Sequence, residues 1–292
     1  MDILFPKVPD QHKPNKPMVP NGFGVFYVLF STVYLFLFYF LESPHAATPV
    51  SAPLTLAVCI LFGGFMGLLD DWIDLKWRYK AFLPLIAAIP LVTFASIMQL
   101  RTAVSLPLLG TLDFGNYYYF IIIPLLVMIV TNTVNQLGGL NGLETICPAI
   151  IMFGFMLVSG GNAVLLYGPF AIWLFLSFLN LRGRIFVGNT GSFSIGISLV
   201  AFAIISDLKL DLLISLVPYI FNSALILLTF FLYRTKANVS FDGRRLVSDH
   251  RRSLITLVVF RRPLTERQTV LIISLIVAAS TAVAAVLHFI SS

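Results

Sequence analysis

The sequence predicts an all-α polytopic membrane helical bundle of about nine transmembrane helices, with the N-terminus cytoplasmic and the C-terminus outside. Three observations carry this. Of 292 residues, 58% are hydrophobic and only 11% charged, with a mean hydropathy of +0.93, a balance that suits lipid rather than water as solvent. Apolar stretches recur at the length of a bilayer crossing, where roughly 20 helical residues span a hydrocarbon core of about 30 Å. The basic residues also segregate. With nine spans threaded from a cytoplasmic N-terminus, all 19 Lys and Arg fall inside except Arg101 and Lys209, as the positive-inside rule requires. One missed span would reverse every side downstream of it, so this segregation checks the count.

In chain order the stretches are 23–41, 53–69, 81–98, 118–135, 145–160, 163–181, 191–206, 210–233 and 268–290. The first 20 residues are polar and proline-rich and lack the apolar core of a cleavable signal, so 1–22 reads as a cytoplasmic segment before an uncleaved anchor. Stretch 145–160 is short and carries Pro148, which a membrane helix tolerates where neighbours cover the freed carbonyl. An outer loop is expected at 99–117, and 234–267 is the largest extramembrane segment, a cytoplasmic basic loop. No repeat or soluble domain interrupts the pattern, so 1–292 reads as one integral-membrane domain. Cys59 and Cys147 lie in apolar stretches without CxxC or Cys/His spacing, so neither a disulfide framework nor a zinc site is suggested and both read as small buried hydrophobes. The net charge of +6 is accounted for by a basic inner face near anionic headgroups, with no nucleic acid implied.

Four polar motifs interrupt the apolar chain, all on the inner side. The first, GLLDDWIDLKWRYK (67–80), ends the second span. Asp70, Asp71 and Asp74 crowd together at a membrane boundary, which is costly without a cation. Carboxylate oxygens of this kind suit Mg²⁺ or Mn²⁺. On a helix Asp70 and Asp74 share a face while Asp71 points about 100° away, so two roles are available, metal or phosphate organisation and proton transfer. The same residues also read as a solvated helix end balanced by Lys76, Arg78 and Lys80.

The second motif, TNTVNQLGGLNGLE (131–144), ends the fourth span. Asn132, Asn135 and Asn141 with three glycines make a break where backbone can approach a ligand, and amides suit a base or a sugar. An ordinary inter-helix turn has the same composition. The third, RGRIFVGNTGSFSIG (182–196), is a small-residue loop leading into a helix N-terminus, a natural place for phosphate, although small residues also serve packing. In the fourth, FDGRRLVSDHRRSL (241–254), His250 with Arg251 and Arg252 can grip a pyrophosphate, or simply belong to a positive-inside loop. Each motif is ambiguous alone. Their common placement on one membrane face favours a site.

In order and spacing the four segments resemble the polyprenyl-phosphate N-acetylhexosamine-1-phosphate transferase superfamily (glycosyltransferase family 4). The nearest likeness is to its archaeal and eukaryotic branch, which transfers GlcNAc-1-phosphate from UDP-GlcNAc to dolichyl phosphate. The resemblance runs from about Pro17 to Arg252. DDWIDLKWRYK is similar to the aspartate-rich motif with its phosphate-contacting lysine, here Lys80. NTVNQLGGLNGLE resembles the eukaryotic Ala-Gly-Ile-Asn-Gly-Leu-Glu form, the His250 segment resembles an Arg-His-Arg stretch, and VPNGFG (19–24) corresponds loosely to Pro-x-x-Gly-Gly.

The resemblance implies attack of a lipid phosphate on the β-phosphate of a UDP-N-acetylhexosamine with release of UMP, at the start of lipid-linked glycan assembly. Such a transfer relies mainly on alignment and charge neutralisation. It implies Asp70, Asp71, Lys80 and His250 as catalytic residues. Asp74, Asn132, Asn135, Asn141, Arg251 and Arg252 would bind substrate, Asn141 at the uracil. Asn189, Asn135 and Asp71 would surround Mg²⁺, with Mn²⁺ as a substitute. A prokaryotic plasma membrane (the endoplasmic reticulum in a eukaryote) with the active site facing the cytoplasm is expected, and a homodimer is allowed.

Two departures stand out. The family's ten helices become nine, the first being absent, and Asn189 occupies a position normally held by a metal-ligating aspartate. An amide can coordinate a hard cation but brings no charge. The alternatives are therefore a catalytically weakened or inactive member acting as a binding or regulatory subunit, and a transporter. Transporters favour midplane ionisable groups and internal repeats, and neither occurs in this sequence.

Overall fold

The computed structural model describes residues 5–42, 50–106, 110–235 and 238–291. Lys236, counted above on the inner side, lies outside them, as do residues 1–4 and part of the outer loop, 107–109.

The chain opens with a small antiparallel hairpin, β1 (Lys7–Pro9) and β2 (Met18–Pro20), in which Val8 faces Val19. Helices α1 (Gly24–Glu42), α2 (Ala52–Ile73), α3 (Trp77–Ala87) and α4 (Ile89–Ile97) follow, then a hairpin of β3 (Ala103–Leu106) and β4 (Gly110–Asp113). A π-helical turn at Tyr118–Ile122 leads into α5 (Ile123–Gln136), followed by α6 (Leu143–Val158), α7 (Val164–Leu181), α8 (Gly188–Ile205), α9 (Lys209–Ser215) and α10 (Val217–Tyr233). After a segment containing β5 (Ser240–Phe241), β6 (Leu246–Val247) and α11 (Leu254–Val258), helix α12 (Glu266–Ser291) closes the fold.

Among the described residues, seven helical segments are long and apolar enough to cross a membrane, and α9 with α10 makes an eighth if that pair, bent by 54°, is one span. The bend has a covalent cause. Pro218 has no N–H for Ile214 O one turn earlier, and the Ser280 hydroxyl of α12 donates to that carbonyl instead. The expected stretch 145–160 is α6, whose 16 residues cover about 24 Å, short of a full hydrocarbon core. The expected stretch 81–98 starts at Trp77 and steps between α3 and α4 next to Pro90, so Lys80 belongs to a helix. The basic loop, expected only as loop, is folded. Leu246 and Leu264 exchange backbone hydrogen bonds, and Ser253 and Thr256 cap α11 reciprocally.

Helix α8 is the axis of the bundle, buried at every residue from Thr190 to Ile205. Small residues let its neighbours come close, the device by which membrane helices associate without a hydrophobic driving force between them. A Cβ on Gly67 of α2 would lie 2.2 Å from Asn189 O, and one on Gly24 of α1 would lie 2.1 Å from Gly191 N. Gly196 of α8 is close, though less so, to Thr131 of α5, where a Cβ would lie 3.0 Å from its Cα. The chain entering α8 is also stitched to the N-terminal segment: Phe186 N donates to Pro20 O, Phe23 N to Phe186 O, and Gly24 N to Val187 O. The C-terminal ends of α2 and α5, the start of α8 and the N-terminal segment therefore meet at one end of the bundle.

Candidate active site

Close packing of Gly67 on Asn189 delivers Asp71, four residues further along α2, to the first turn of α8. Its Oδ1 accepts from Asn189 N at 2.9 Å, and its Oδ2 from Thr190 N at 2.9 Å and Thr190 Oγ1 at 2.7 Å. These backbone donors open a helix and have no intrahelical partner, so a carboxylate is favoured there by hydrogen bonding and by the helix dipole. The anion at the start of α8, where the sequence suggested phosphate, is thus the chain's own Asp71.

Asp70 and Asp74 leave the helix on the other side. Lys80 bridges them, 2.9 Å from Asp70 Oδ1 and 3.2 Å from Asp74 Oδ1. Asp70 is buried and its Oδ1 also accepts from Leu75 N at 2.9 Å, while its Oδ2 has no partner among the described residues. Asp74 ends α2 in the left-handed conformation (φ 44°) and is exposed. The face-sharing expected from helical periodicity is therefore a turn organised around one lysine.

Beside Asp71 lies a polar cavity of about 390 Å³, lined by Asn21, Asp71, Asn135, Gln136, Gly138, Gly139, Glu144, Gly188 and Asn189. That volume falls in the range of small-molecule sites. Asn135 Oδ1 accepts from Ser192 Oγ at 2.6 Å, which orients the amide from α8. Gln136 Oε1 is buried without a hydrogen-bond partner among the described residues. Glu144, half-buried in the first turn of α6, receives no hydrogen bond or ion pair among them. Asn132 is turned away and ties helices together, its Nδ2 donating to Ala81 O at 3.2 Å and Met128 O at 2.8 Å.

Asn141 is buried and held in a clamp. Its Nδ2 donates to Asp10 Oδ2 at 2.7 Å and Glu266 Oε1 at 3.0 Å, and its backbone N to the same Glu266 oxygen at 2.7 Å. Lys13 pairs with the second Glu266 oxygen, and Asn141 Oδ1 is left without a partner among the described residues. The N-terminal segment thereby crosses onto the ends of α6 and α12. Asp10, His12 and Glu266 present ligand atoms within 4.8 Å of one another, but Asn141 and Lys13 already satisfy the two carboxylates.

His250, Arg251 and Arg252 lie in the folded basic segment and are not among the residues lining the cavity. His250 Nδ1 is buried without a partner among the described residues. Arg251 lies over the Phe260 ring at 4.1 Å, and Arg252 donates to Thr235 Oγ1 at 3.0 Å. In the same segment Asp242 accepts from the backbone of Arg245 at 2.7 Å and Arg244 at 2.9 Å, which holds its carboxyl below the usual carboxylate range.

The structure thus brings Asp71, Asn135 and Asn189 to one cavity, sets Asp70, Asp74 and Lys80 in the adjoining turn, and keeps Asn132, Asn141, His250, Arg251 and Arg252 apart from it. The donors around the cavity are amide and carboxylate oxygens, one of them the orphaned Gln136 Oε1, a set that suits a hard divalent cation. Sequence reasoning passed over Asn21, Gln136, Glu144, Asp10 and Glu266. Asn21, Gln136 and Glu144 stand inside motifs already singled out. Nothing local marks Asp10 or Glu266, which reach Asn141 across 131 and 125 residues.

The family model for glycosyl transferase family 4 matches residues 53–207, from α2 to the end of α8. A Saccharolobus solfataricus protein, provisionally named UDP-N-acetylglucosamine–dolichyl-phosphate N-acetylglucosaminephosphotransferase, is 30% identical over 275 residues, covering 90% of this chain and 82% of the relative. The Schizosaccharomyces pombe protein of that name is 27% identical over 208 residues, 63% of this chain and 46% of the relative. A Clostridioides difficile phospho-N-acetylmuramoyl-pentapeptide-transferase is 28% identical over 166 residues, 51% and 52% of the two chains. All the cavity-lining residues except Asn21 fall within the matched stretch, and the chain is a member of glycosyl transferase family 4, a family of transferases.

Proposed function

We propose that this protein transfers N-acetylglucosamine-1-phosphate from UDP-GlcNAc to a dolichyl or other polyprenyl phosphate, with the basic end of the bundle facing the cytoplasm. The observation that carries the reading is the polar cavity in which three sequence motifs from α2, α5–α6 and α8 converge. The names of the Saccharolobus and yeast relatives supply the substrate pair.

In this reading an oxygen of the lipid phosphate attacks the β-phosphorus of UDP-GlcNAc. A new P–O bond forms, the bond from that phosphorus to the bridging oxygen breaks, and UMP leaves with the electron pair. Positioning and charge neutralisation are the main demands of such a transfer. Mg²⁺, with Mn²⁺ as a substitute, would offset the charge of the pyrophosphate when bound. Asn135 and Asn189 would hold it with amide oxygens, beside Asp71. Asp71 keeps Asn189 and the start of α8 in register with α2. Lys80, anchored by Asp70 and Asp74, gives the lipid phosphate a positive charge at the membrane boundary. Asn141, for which the family resemblance implies a uracil contact, is held outside the cavity lining in its clamp with Asp10 and Glu266, and would meet uracil only if that clamp opened. His250, Arg251 and Arg252 lie in the basic segment outside the cavity lining, and would meet the sugar and pyrophosphate only where the donor extends beyond the cavity.

The test is to incubate purified protein with UDP-GlcNAc, dolichyl phosphate and Mg²⁺, following UMP and lipid-linked sugar. The reading expects both products in equal amounts, dependence on the lipid, and loss on chelation. Absence of UMP with an intact, folded protein contradicts it. Asn189 in place of the family's aspartate favours one second reading, a binding member without turnover, and that reading expects UDP-GlcNAc binding but no UMP.

A further inference from the structure

Asn189 leaves a gap in charge. A cation that bridges a pyrophosphate is held by one or two carboxylates together with the phosphates. Among the residues that line the cavity only Asp71 and Glu144 carry carboxylates, and none is basic. Asp71 already accepts three hydrogen bonds at the start of α8, out of roughly four acceptor sites on a carboxylate. It can offer a cation little without releasing that helix.

Glu144 stands in the opposite condition. Its carboxylate lines the cavity with no hydrogen bond or ion pair among the described residues. It sits across Gly138 from Asn135, since a Cβ on Gly138 would lie 3.7 Å from both Glu144 Cδ and Asn135 O. Glu144 also lies within electrostatic reach of Asp71. Two carboxyl groups face one polar cavity without a basic side chain between them, an arrangement in which a bound cation favours ionisation of both. The bland alternative is a helix-dipole role, because Glu144 is in the first turn of α6. That role needs no opening toward the cavity and no neighbouring oxygen donors, and both are present.

We infer that Glu144 is the charged oxygen ligand of the divalent cation in this cavity, working with Asn135 and Asn189 and replacing the charge that Asn189 lacks. The inference rests on the phosphotransfer reading above, since that reading puts a cation there, but its test does not depend on turnover.

The experiment titrates purified protein with Mn²⁺, with and without UDP, and reads bound Mn²⁺ by electron paramagnetic resonance. Wild type is compared with Glu144→Gln, Glu144→Asp, Asn189→Asp and the Glu144→Gln/Asn189→Asp double variant, each checked for an unchanged melting temperature. Glu144→Gln should weaken Mn²⁺ at least tenfold and Glu144→Asp less. Asn189→Asp should tighten it, and the double variant should recover most of the lost affinity by restoring one charge. Wild-type affinity in Glu144→Gln overturns the inference, as does wild type that binds no Mn²⁺ in either condition. Should Glu144→Gln fail to fold, the Glu144→Asp shift decides alone, and unchanged affinity there is equally contrary. A wild type that binds Mn²⁺ through Glu144 but releases no UMP would instead remove the proposed activity and leave the ligand assignment standing.

Discussion

Two charged residues at opposite ends of the bundle, Lys209 and Glu144, are placed in opposite ways. At the end with few basic residues, Lys209 is buried and fully used: it pairs with Asp207 at 2.6 Å, donates to Arg101 O and to Ala103 O at 3.3 Å, and lies 4.8 Å from the Tyr118 ring centre. An ammonium has three donors, and here each has an acceptor. At the basic end, Glu144 and Gln136 face a polar cavity with no partner for the carboxylate or for Gln136 Oε1 among the described residues. A saturated buried charge fastens a hairpin to a helix start. An unsaturated one stores binding capacity, which folding alone does not reward.

Asp71 joins the two behaviours, because it lines the cavity and also fastens α8. Asp71→Ala is therefore the change with the largest expected effect. Two backbone donors and the Thr190 hydroxyl lose their acceptor, costing about 1–2 kcal/mol as for a lost helix cap. UMP release should fall by about 100-fold or more, since small misplacements of a site carry that cost. Near-normal turnover would separate α8 registration from the chemistry.

Gly67→Ala perturbs the same junction through packing alone. Its Cβ would stand 2.2 Å from Asn189 O, a backbone atom that cannot swing aside. The helices must part, at about 1–3 kcal/mol for an overpacked contact, and both melting temperature and UMP release should drop. A fall in melting temperature with unchanged UMP release would show that the cavity tolerates a shift of α2 on α8.

The smallest effect is expected deeper in the bundle. Tyr27 OH donates to Ser198 Oγ at 2.7 Å, and Tyr27→Phe should cost about 1 kcal/mol with turnover unchanged. A loss of activity there would mean that the axis of α8 is coupled to the cavity more strongly than its saturated contacts imply.

Much of this was legible in the residues. The apolar stretches found the crossing helices because lipid demands internal backbone pairing, and the i, i+4 spacing of Asp70 and Asp74 foretold that Asp71 points elsewhere. Where Asp71 points was not legible. That depends on Gly67 meeting Asn189, a contact between residues 122 positions apart, and helix–helix register leaves no local trace. The bend at Leu216 was hidden because Pro218 lies inside an unbroken apolar run, where hydropathy is blind to a missing N–H. The Asn141 clamp was hidden for a further reason. Asp10 and Glu266 look like ordinary charges at element ends, and only the path of the N-terminal segment brings them together.

The contrast between the two ends is tested most directly by measuring melting temperature and UMP release together on Asn135→Ala and Lys209→Met. Asn135→Ala should keep the wild-type melting temperature within a few degrees and lose at least tenfold in UMP release. Lys209→Met should lose about 1–3 kcal/mol of stability from its unmade hydrogen bonds and keep wild-type turnover. The reverse pattern, a silent cavity variant and a catalytically dead Lys209→Met, would contradict the assignment of transfer to this cavity.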